Sequence, residues 1–285
     1  MKELEILKKP LFWLLLILIL LWGAVFSLPD KQLHLVFCDV GQGDAILISY
    51  SQVQILIDGG PDNKILSCLS KNMPFWDRKI EIVVLTHPEE DHFGGLIDVF
   101  KRYNVRYFVA NSLVNDRASF WQFYRLALAE KASFYSPKAG DKIRIGALEF
   151  LVLWPEKDFL KTDNFNDSSV VLKLVYGDFE ALFTGDISEK VEKLLDLPAR
   201  LAAKRAGGVE ILKVAHHGSK FSTSEEFLRK IKPKLAIISV GKNRFGHPTP
   251  EVLERLNQAG VKVLRTDQEG NIEIVSNGWG WYNSP

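Results

Sequence analysis

Short apolar runs, many of them β-branched and closed by glycine, asparagine or aspartate turns, recur along most of this chain. Leu33 to Asp39, Ala45 to Ser49 and Val53 to Ile57 predict successive strands of a meander. Ile80 to Leu85 reads Ile-Glu-Ile-Val-Val-Leu and predicts a strand covered on both faces. Further strands are expected at Arg106 to Ala110, at Lys142 to Ile145 and Leu148 to Trp154 around a turn at Gly146, and at Val170 to Tyr176 and Phe179 to Phe183. Ile211 to Ala215, Leu235 to Val240, Val261 to Arg265 and Asn271 to Val275 complete the set. Helical spacing predicts Lys64 to Lys71, a helix opening near Leu96 with Ile97 and Phe100 inward, Ser119 to Lys131 and Pro250 to Ala259. Strands alternating with helices in this way indicate an α/β domain.

One run breaks the pattern. Leu11 to Leu28 is apolar apart from Ser27 and is 18 residues long, the lower end of what spans a bilayer. Trp13 and Trp22 fall toward its ends, Lys2, Lys8 and Lys9 precede it, and Pro29-Asp30 follow. The basic flank places the amino terminus in the cytoplasm and the remainder outside. The expected organisation is therefore a transmembrane anchor over 1–30 and one domain over 31–285, a single-pass membrane protein with its chemistry outside the cell. A cleaved signal peptide ending at Val25-Phe26-Ser27 is the alternative, and it also exports the domain. The formal charge of +1 argues against wholesale coating of nucleic acid. Cys38 and Cys68 are the only cysteines, so neither a zinc ribbon nor a disulfide framework is expected, and a single bridge between them stays open.

The chemistry gathers at strand ends. Behind Ile80 to Leu85 comes His87-Pro88-Glu89-Glu90-Asp91-His92-Phe93-Gly94-Gly95, with imidazoles and carboxylates so crowded that they repel or stay protonated unless a cation holds them. Asp58-Gly59-Gly60, Thr184-Gly185-Asp186, His216-His217-Gly218-Ser219 and His247-Pro248 follow other apolar runs in the same way. Of the 6 histidines, all but His34 lie in such loops, which scattered core or surface histidines would not do. Taken singly, the acidic run is a solvated turn, Asp58-Gly59-Gly60 a turn, His247 a turn residue held by prolines, and Gly41 and Gly43 a weak sign of a phosphate cradle.

Together these residues resemble the metallo-β-lactamase fold, and in detail its ComEC-like branch. The matching motifs are DVGQGDA at Asp39 to Ala45, THPEEDHFGG at Thr86 to Gly95, NDSSVVL at Asn166 to Leu172, AHHGS at Ala215 to Ser219 and GHPTPEVLERL at Gly246 to Leu256. The resemblance implies a four-layer αβ/βα sandwich with one or two divalent metal ions at one edge. Implied ligands are His87, Glu89, Asp91, His92, Asp186 and His217, supported by Asp58 and Asn166, with Asp186 placed to bridge two ions. Glu89 stands where the wider superfamily has a second histidine, and a later histidine is replaced near Asn166. More oxygen donors shift the preference from zinc toward manganese or magnesium, and the choice among Zn, Mn and Mg stays open. Asp91, which orients the attacking water, and His216 and His247, which meet substrate oxygens or the leaving group, are the expected catalytic residues.

Between Arg200 and Arg244 there are 11 basic residues against 3 glutamates, as in a funnel for a polyanion. Ser219, Lys220, Lys242 and Arg244 adjoin the site motifs and are expected to bind substrate. ComEC-type competence proteins join this domain to a polytopic channel that imports DNA, whereas one anchor conducts nothing. The expected function is an exported, membrane-anchored phosphodiesterase or nuclease acting on DNA, beside a separate membrane channel subunit. Hydrolysis of a cell-wall or phosphorylcholine-type ester is the second reading. A non-catalytic nucleic-acid-binding or assembly subunit is the third.

Overall fold

A computed structural model describes residues 9–26, 30–130, 132–156, 164–196 and 208–284. The apolar segment forms helix α1 (Pro10–Phe26), 17 residues or about 26 Å at 1.5 Å per residue. Leu11, Trp13, Leu14, Leu15, Ile17, Leu18, Ile19 and Trp22 are all exposed on it. Among the described residues no helix is long and apolar enough to cross a membrane, so the span expected over Leu11 to Leu28 is not established. Lys2, Lys8 and 27–29 lie outside the described residues.

Two sheets follow. The chain lays down β1 (Leu33–Phe37), β2 (Ile46–Tyr50), β3 (Val53–Ile57), β4 (Lys79–Leu85), β5 (Asn104–Ala110) and β6 (Ser133–Tyr135) in the first. It crosses to the second for β7 (Lys142–Ile145), β8 (Leu148–Trp154), β9 (Val171–Tyr176), β10 (Phe179–Phe183), β11 (Ile211–Lys213), β12 (Leu235–Ile238) and β13 (Lys262–Arg265). It then returns with β14 (Ile272–Ser276) and β15 (Trp281–Ser284). The first sheet has 8 strands in the order β15-β14-β1-β2-β3-β4-β5-β6, and the second has 7 in the order β13-β12-β11-β10-β9-β8-β7. In each sheet a parallel block, β3 to β6 and β10 to β13, sends successive strand ends to one edge.

Alternation along the strands builds the layers. Leu35, Phe37, Ile48 and Ile57 face Leu172, Leu174, Phe183 and Ile237 between the sheets. The opposite face of the first sheet, with Leu47, Leu56 and Val83, is covered by α2 (Lys64–Asn72), the short α3 (Glu90–Phe93), α4 (Leu96–Arg102) and α5 (Ala118–Ala129), through Leu69, Phe93, Phe100 and Phe123. The outer face of the second meets α6 (Glu189–Leu194), α7 (Glu225–Ile231) and α8 (Pro250–Gln258), through Val191, Phe227 and Leu256. Each such side chain contributes about 1.5–3 kcal/mol by leaving water. The expected four layers are thus present. β6 and β15 were not expected, because edge strands with exposed side chains carry no buried period.

Cys38 and Cys68 form a disulfide, Cα to Cα 5.9 Å, pinning the exit of β1 to α2. This is the single bridge that the sequence left open. A separation of 30 residues along the chain hides the pairing from inspection of spacing.

Candidate metal centre

The strand ends that carry chemistry meet where the parallel blocks of the two sheets face each other. β3 ends into Asp58, which adopts the left-handed region (φ 58°) and turns its carboxylate back toward the next strand end. That carboxylate accepts hydrogen bonds from Thr86 N (2.8 Å), Thr86 Oγ1 (2.7 Å) and His92 Nδ1 (2.8 Å). Asp58 therefore orients a ligand. The proton on Nδ1 is spoken for, so His92 presents a bare Nε2 to the centre. His217 is fixed the same way, with Nδ1 donating to the Ser239 carbonyl at 2.9 Å. His87 Nδ1 lies 3.1 Å from Thr86 Oγ1 and 3.2 Å from Ser169 Oγ.

The three Nε2 atoms of His87, His92 and His217 are buried and have no hydrogen-bond partner. Those of His92 and His217 converge on two carboxylates. His92 Nε2 is 3.4 Å from Asp186 Oδ2 and 4.0 Å from Asp91 Oδ1, and His217 Nε2 is 3.3 Å from an oxygen of each. Ligand atoms of Asp91, His92 and His217, of His87, His92 and Asp186, and of Asp44, Asp186 and His217 fall within 4.8 Å of one another in each group. Because the groups share members, they describe one centre. Burial alone would keep these imidazoles neutral, yet Asp186 and its neighbouring carboxylates hold His92 well above its ordinary value and push His217 up to about 10. Burial would likewise raise Asp91 and Asp186, but the facing imidazoles hold both well below the usual carboxylate range. Such a field asks for positive charge at its middle, and a divalent cation meets that demand by displacing protons.

Two strained turns serve the geometry. His216, His217 and Gly218 take φ of 50°, 54° and 83° in succession, a conformation that costs a non-glycine residue on the order of 1–3 kcal/mol. At Gly43 (φ 144°) a Cβ would stand 2.3 Å from the Asp91 carbonyl, so only glycine lets the DVGQGD loop lie on the ligand loop. The loop delivers Asp44, whose N–H donates to that carbonyl at 3.2 Å.

Some expected residues are elsewhere. Glu89 is half-buried and belongs to none of the converging groups. Its backbone carbonyl receives the N–H of His92 and Phe93 (both 3.0 Å) at the start of α3, and its side chain lines an outer cleft. Asn166 Oδ1 has no hydrogen-bond partner, and the side chain from its motif that meets His87 is Ser169, whose Oγ also accepts the Asp186 N–H at 3.0 Å. Lys213 is not part of a surface funnel. It is fully buried, with Nζ paired to Asp44, 3.3 Å from Asp186 Oδ1 and 2.9 Å from the Gly185 carbonyl. Asp44, Ser169 and Lys213 were thus missed. The usable signal was a lysine inside the apolar run Ile-Leu-Lys-Val-Ala, which burial obliges to find a partner.

Of the other basic residues, Lys230 pairs with Glu226 (2.9 Å) and Lys234 with Glu210 (3.1 Å), while Arg200, Lys204 and Arg205 lie outside the described residues. Lys220, Lys242 and Arg244 are exposed, the first resting over Phe221 (5.3 Å) and the last over Phe245 (5.6 Å). A cleft of about 710 Å³ opens on Asp91, and Glu89, Arg117, Phe165, Arg244 and Phe245 are among its walls. Ser219 is buried and serves its own turn, its N–H donating to the His216 carbonyl at 2.9 Å. The His216 and His247 rings stand 5.5 Å apart. Burial lowers both, taking His247 to about 4 with help from His216, so they face the site as neutral hydrogen-bonding groups.

Residues 38–242 match the Metallo-beta-lactamase superfamily. ComE operon protein 3 of Bacillus subtilis (strain 168) is 32% identical over 255 residues, which cover 82% of this chain and 32% of that protein. Competence protein ComA of Neisseria gonorrhoeae is 27% identical over 255 residues, 87% of this chain and 33% of that one. The chain thus spans about a third of the length of these curated relatives. Among solved structures, the metallo-beta-lactamase fold protein YhfI from Bacillus subtilis superposes with a TM-score of 0.57 at 12% identity, over 88% of this chain and 100% of that one, a likeness of fold.

Proposed function

The chain belongs to the metallo-beta-lactamase superfamily, and from that premise we propose that this metallo-β-lactamase-fold hydrolase is a metal-dependent phosphodiesterase that cleaves DNA. The observation that carries the reading is the convergence of two buried, unpartnered imidazole nitrogens, of His92 and His217, on the Asp91 and Asp186 carboxylates, with His87 grouped beside His92 and Asp186. Asp91, His92, Asp186 and His217 would hold a divalent ion, with His87 within reach of the same centre. When bound, such an ion polarises a phosphoryl oxygen and acidifies water.

The chain's own groups divide the remaining work. Asp58 and Ser239 hold two imidazoles in the tautomer that leaves Nε2 free. Lys213 fixes Asp44 and Asp186. Asp91, its side chain 30% exposed, is the carboxylate of the centre that lines the cleft and is placed to orient the attacking water. His216, His247 and Arg244 are placed to donate to phosphoryl oxygens. DNA is favoured by the relatives' competence names and by the cation–aromatic pairs Lys220–Phe221 and Arg244–Phe245, which suit a phosphate chain carrying stackable bases. The disulfide fits an oxidising, extracytoplasmic compartment. An α1 that is apolar all round fits a bilayer, and Ser27-Leu28 continue its run in sequence. A separate membrane channel subunit is the proposed partner.

Purified protein given manganese, magnesium or zinc is expected to cleave single-stranded DNA, and Asp186→Ala is expected to lose both the ion and at least about 100-fold in rate. Undiminished cleavage in that variant would sink the reading. Asp62, Glu89, Phe165 and Phe245 in one cleft favour a second substrate, a phosphodiester with a cationic headgroup such as phosphorylcholine. Turnover of such esters with DNA untouched would select it, and DNA binding without turnover would select a non-catalytic subunit.

A further inference from the structure

We propose that the edge of the sandwich opposite the metal centre rests on a lipid bilayer, with Phe75, Trp76 and Trp279 seated among the headgroups. The inference rests on the reading above that α1 is held in the membrane. It adds the orientation of the domain and the residues that set it.

Strand register defines the two edges. Leu33, where β1 begins, pairs with Tyr50 at the end of β2 and with Ser276 at the end of β14. The start of β4 at Lys79 lies at the same edge, because β4 runs parallel to β3, which itself opens beside Tyr50. The metal ligands follow the far ends of β4, β10 and β11. From Lys79 to Leu85 the chain advances about 20 Å at 3.3 Å per residue, so the centre and this edge are separated by the height of the sheet.

At the edge away from the centre, large aromatic side chains point into solvent. Phe75 is 82% exposed and packs edge-on against Trp76 at 4.8 Å, and Trp279, in the turn from β14 to β15, is 81% exposed. That turn belongs to the same edge, since the Gly278 carbonyl accepts the N–H of Asp178 between β9 and β10 (2.6 Å). The flanking charges are mixed. Arg78 and Lys71 are exposed and can snorkel toward phosphates, Lys79 is engaged with Glu81 at 2.7 Å, and Asp30 and Asp77 stand beside them. Tryptophan and phenylalanine on separate turns beside basic side chains suit the level of the headgroups, where an amphipathic ring has one wet and one apolar side.

The tether decides the occupant. Phe26, the last residue of α1, and Asp30 are four peptide steps apart, at most about 15 Å at 3.8 Å per step. Asp30 and Trp76 line one cavity of about 480 Å³. A helix end at the membrane surface therefore brings this edge to the lipid and turns the cleft at Asp91 toward solution. Polymers arriving from outside reach it there, while headgroups of the same membrane do not.

The full chain, labelled with an environment-sensitive fluorophore at Phe75→Cys, at Trp279→Cys or, as the control beside the metal centre, at Glu90→Cys, is inserted into phosphatidylethanolamine and phosphatidylglycerol vesicles. The first two labels are expected to shift to the blue and to be quenched by lipids brominated near the headgroup, and the third to do neither. Labels at 75 and 279 as wet as the one at 90, in protein that floats with the vesicles, would overturn the orientation and leave the anchor standing. Protein that does not float at all would remove the anchor, and the orientation with it.

Discussion

Asp58 touches no open face of the centre, yet its carboxylate sets which nitrogen His92 presents. Asp58→Asn is expected to keep the fold and weaken metal binding about 10–100-fold, read by competition with a chelating dye. Binding at wild-type strength would mean that Thr86 alone orients the ring. Lys213 poses the opposite problem, a cation sealed between Asp44 and Asp186. Lys213→Met strands buried carboxylates and is expected to cost about 3–5 kcal/mol in urea unfolding. Adding Asp44→Asn should recover much of that loss. A single-variant cost below about 1 kcal/mol would show that the pair behaves as a solvated one. His87, Asp91, His92, Asp186 and His217 were readable because a carboxylate or imidazole that closes an apolar run sits too near the core to be idle. Asp44 was not, since in the glycine turn ahead of β2 it looks like an ordinary surface charge until the fold buries it, and Lys213 showed only as a lysine inside an apolar run.

His34, on β1, joins Asp30 ahead of the strand (3.0 Å) to Glu273 on β14 (2.7 Å), and so ties the start of the domain to its last long strand. The hydrogen bond that His34 donates to Glu273, aided by Asp30 against partial burial, raises the imidazole above its ordinary 6.5. A raised value means that the contribution is complete below about 6.5 and fades as pH climbs through the folded value. Glu273 and Asp30 are lowered, so their share is present above the ordinary carboxylate range and fades as pH falls below it. The difference in melting temperature between wild type and His34→Gln should therefore be largest in mildly acidic buffer and shrink on going alkaline. A difference independent of pH would reduce the contact to packing. Elsewhere among the elements, strand and helix positions followed from periodicity, but strands stopped early where function begins. β12 was expected to reach Val240 and ends at Ile238, because Ser239 turns its carbonyl to His217 and the Val240 N–H goes to Thr266 Oγ1 (2.8 Å).

The two sheets meet twice, through the apolar layer between them and through the centre, to which the first contributes His87, Asp91 and His92 and the second Asp186 and His217. An ion held there binds the folded chain and not the unfolded one. At a hundredfold excess over its dissociation constant it adds about 2.7 kcal/mol, or about 5–10 °C in melting temperature for a domain of this size. Chelation should remove that increment from the wild type and leave Asp186→Ala unmoved, and equal responses would place the ion elsewhere. What local order along the chain settles is the α/β alternation and the residue types at each strand end, because hydrophobic period and turn chemistry act over a few neighbours, while the four layers were implied by the family resemblance. Which of those residues meet is another matter. Ser169 in place of Asn166, Glu89 turned outward, Asp58 behind His92, Lys213 inside and Cys38 bound to Cys68 all depend on how strands far apart in the chain pack against each other. That packing is set by burial summed over the whole molecule, and no stretch of sequence carries it alone.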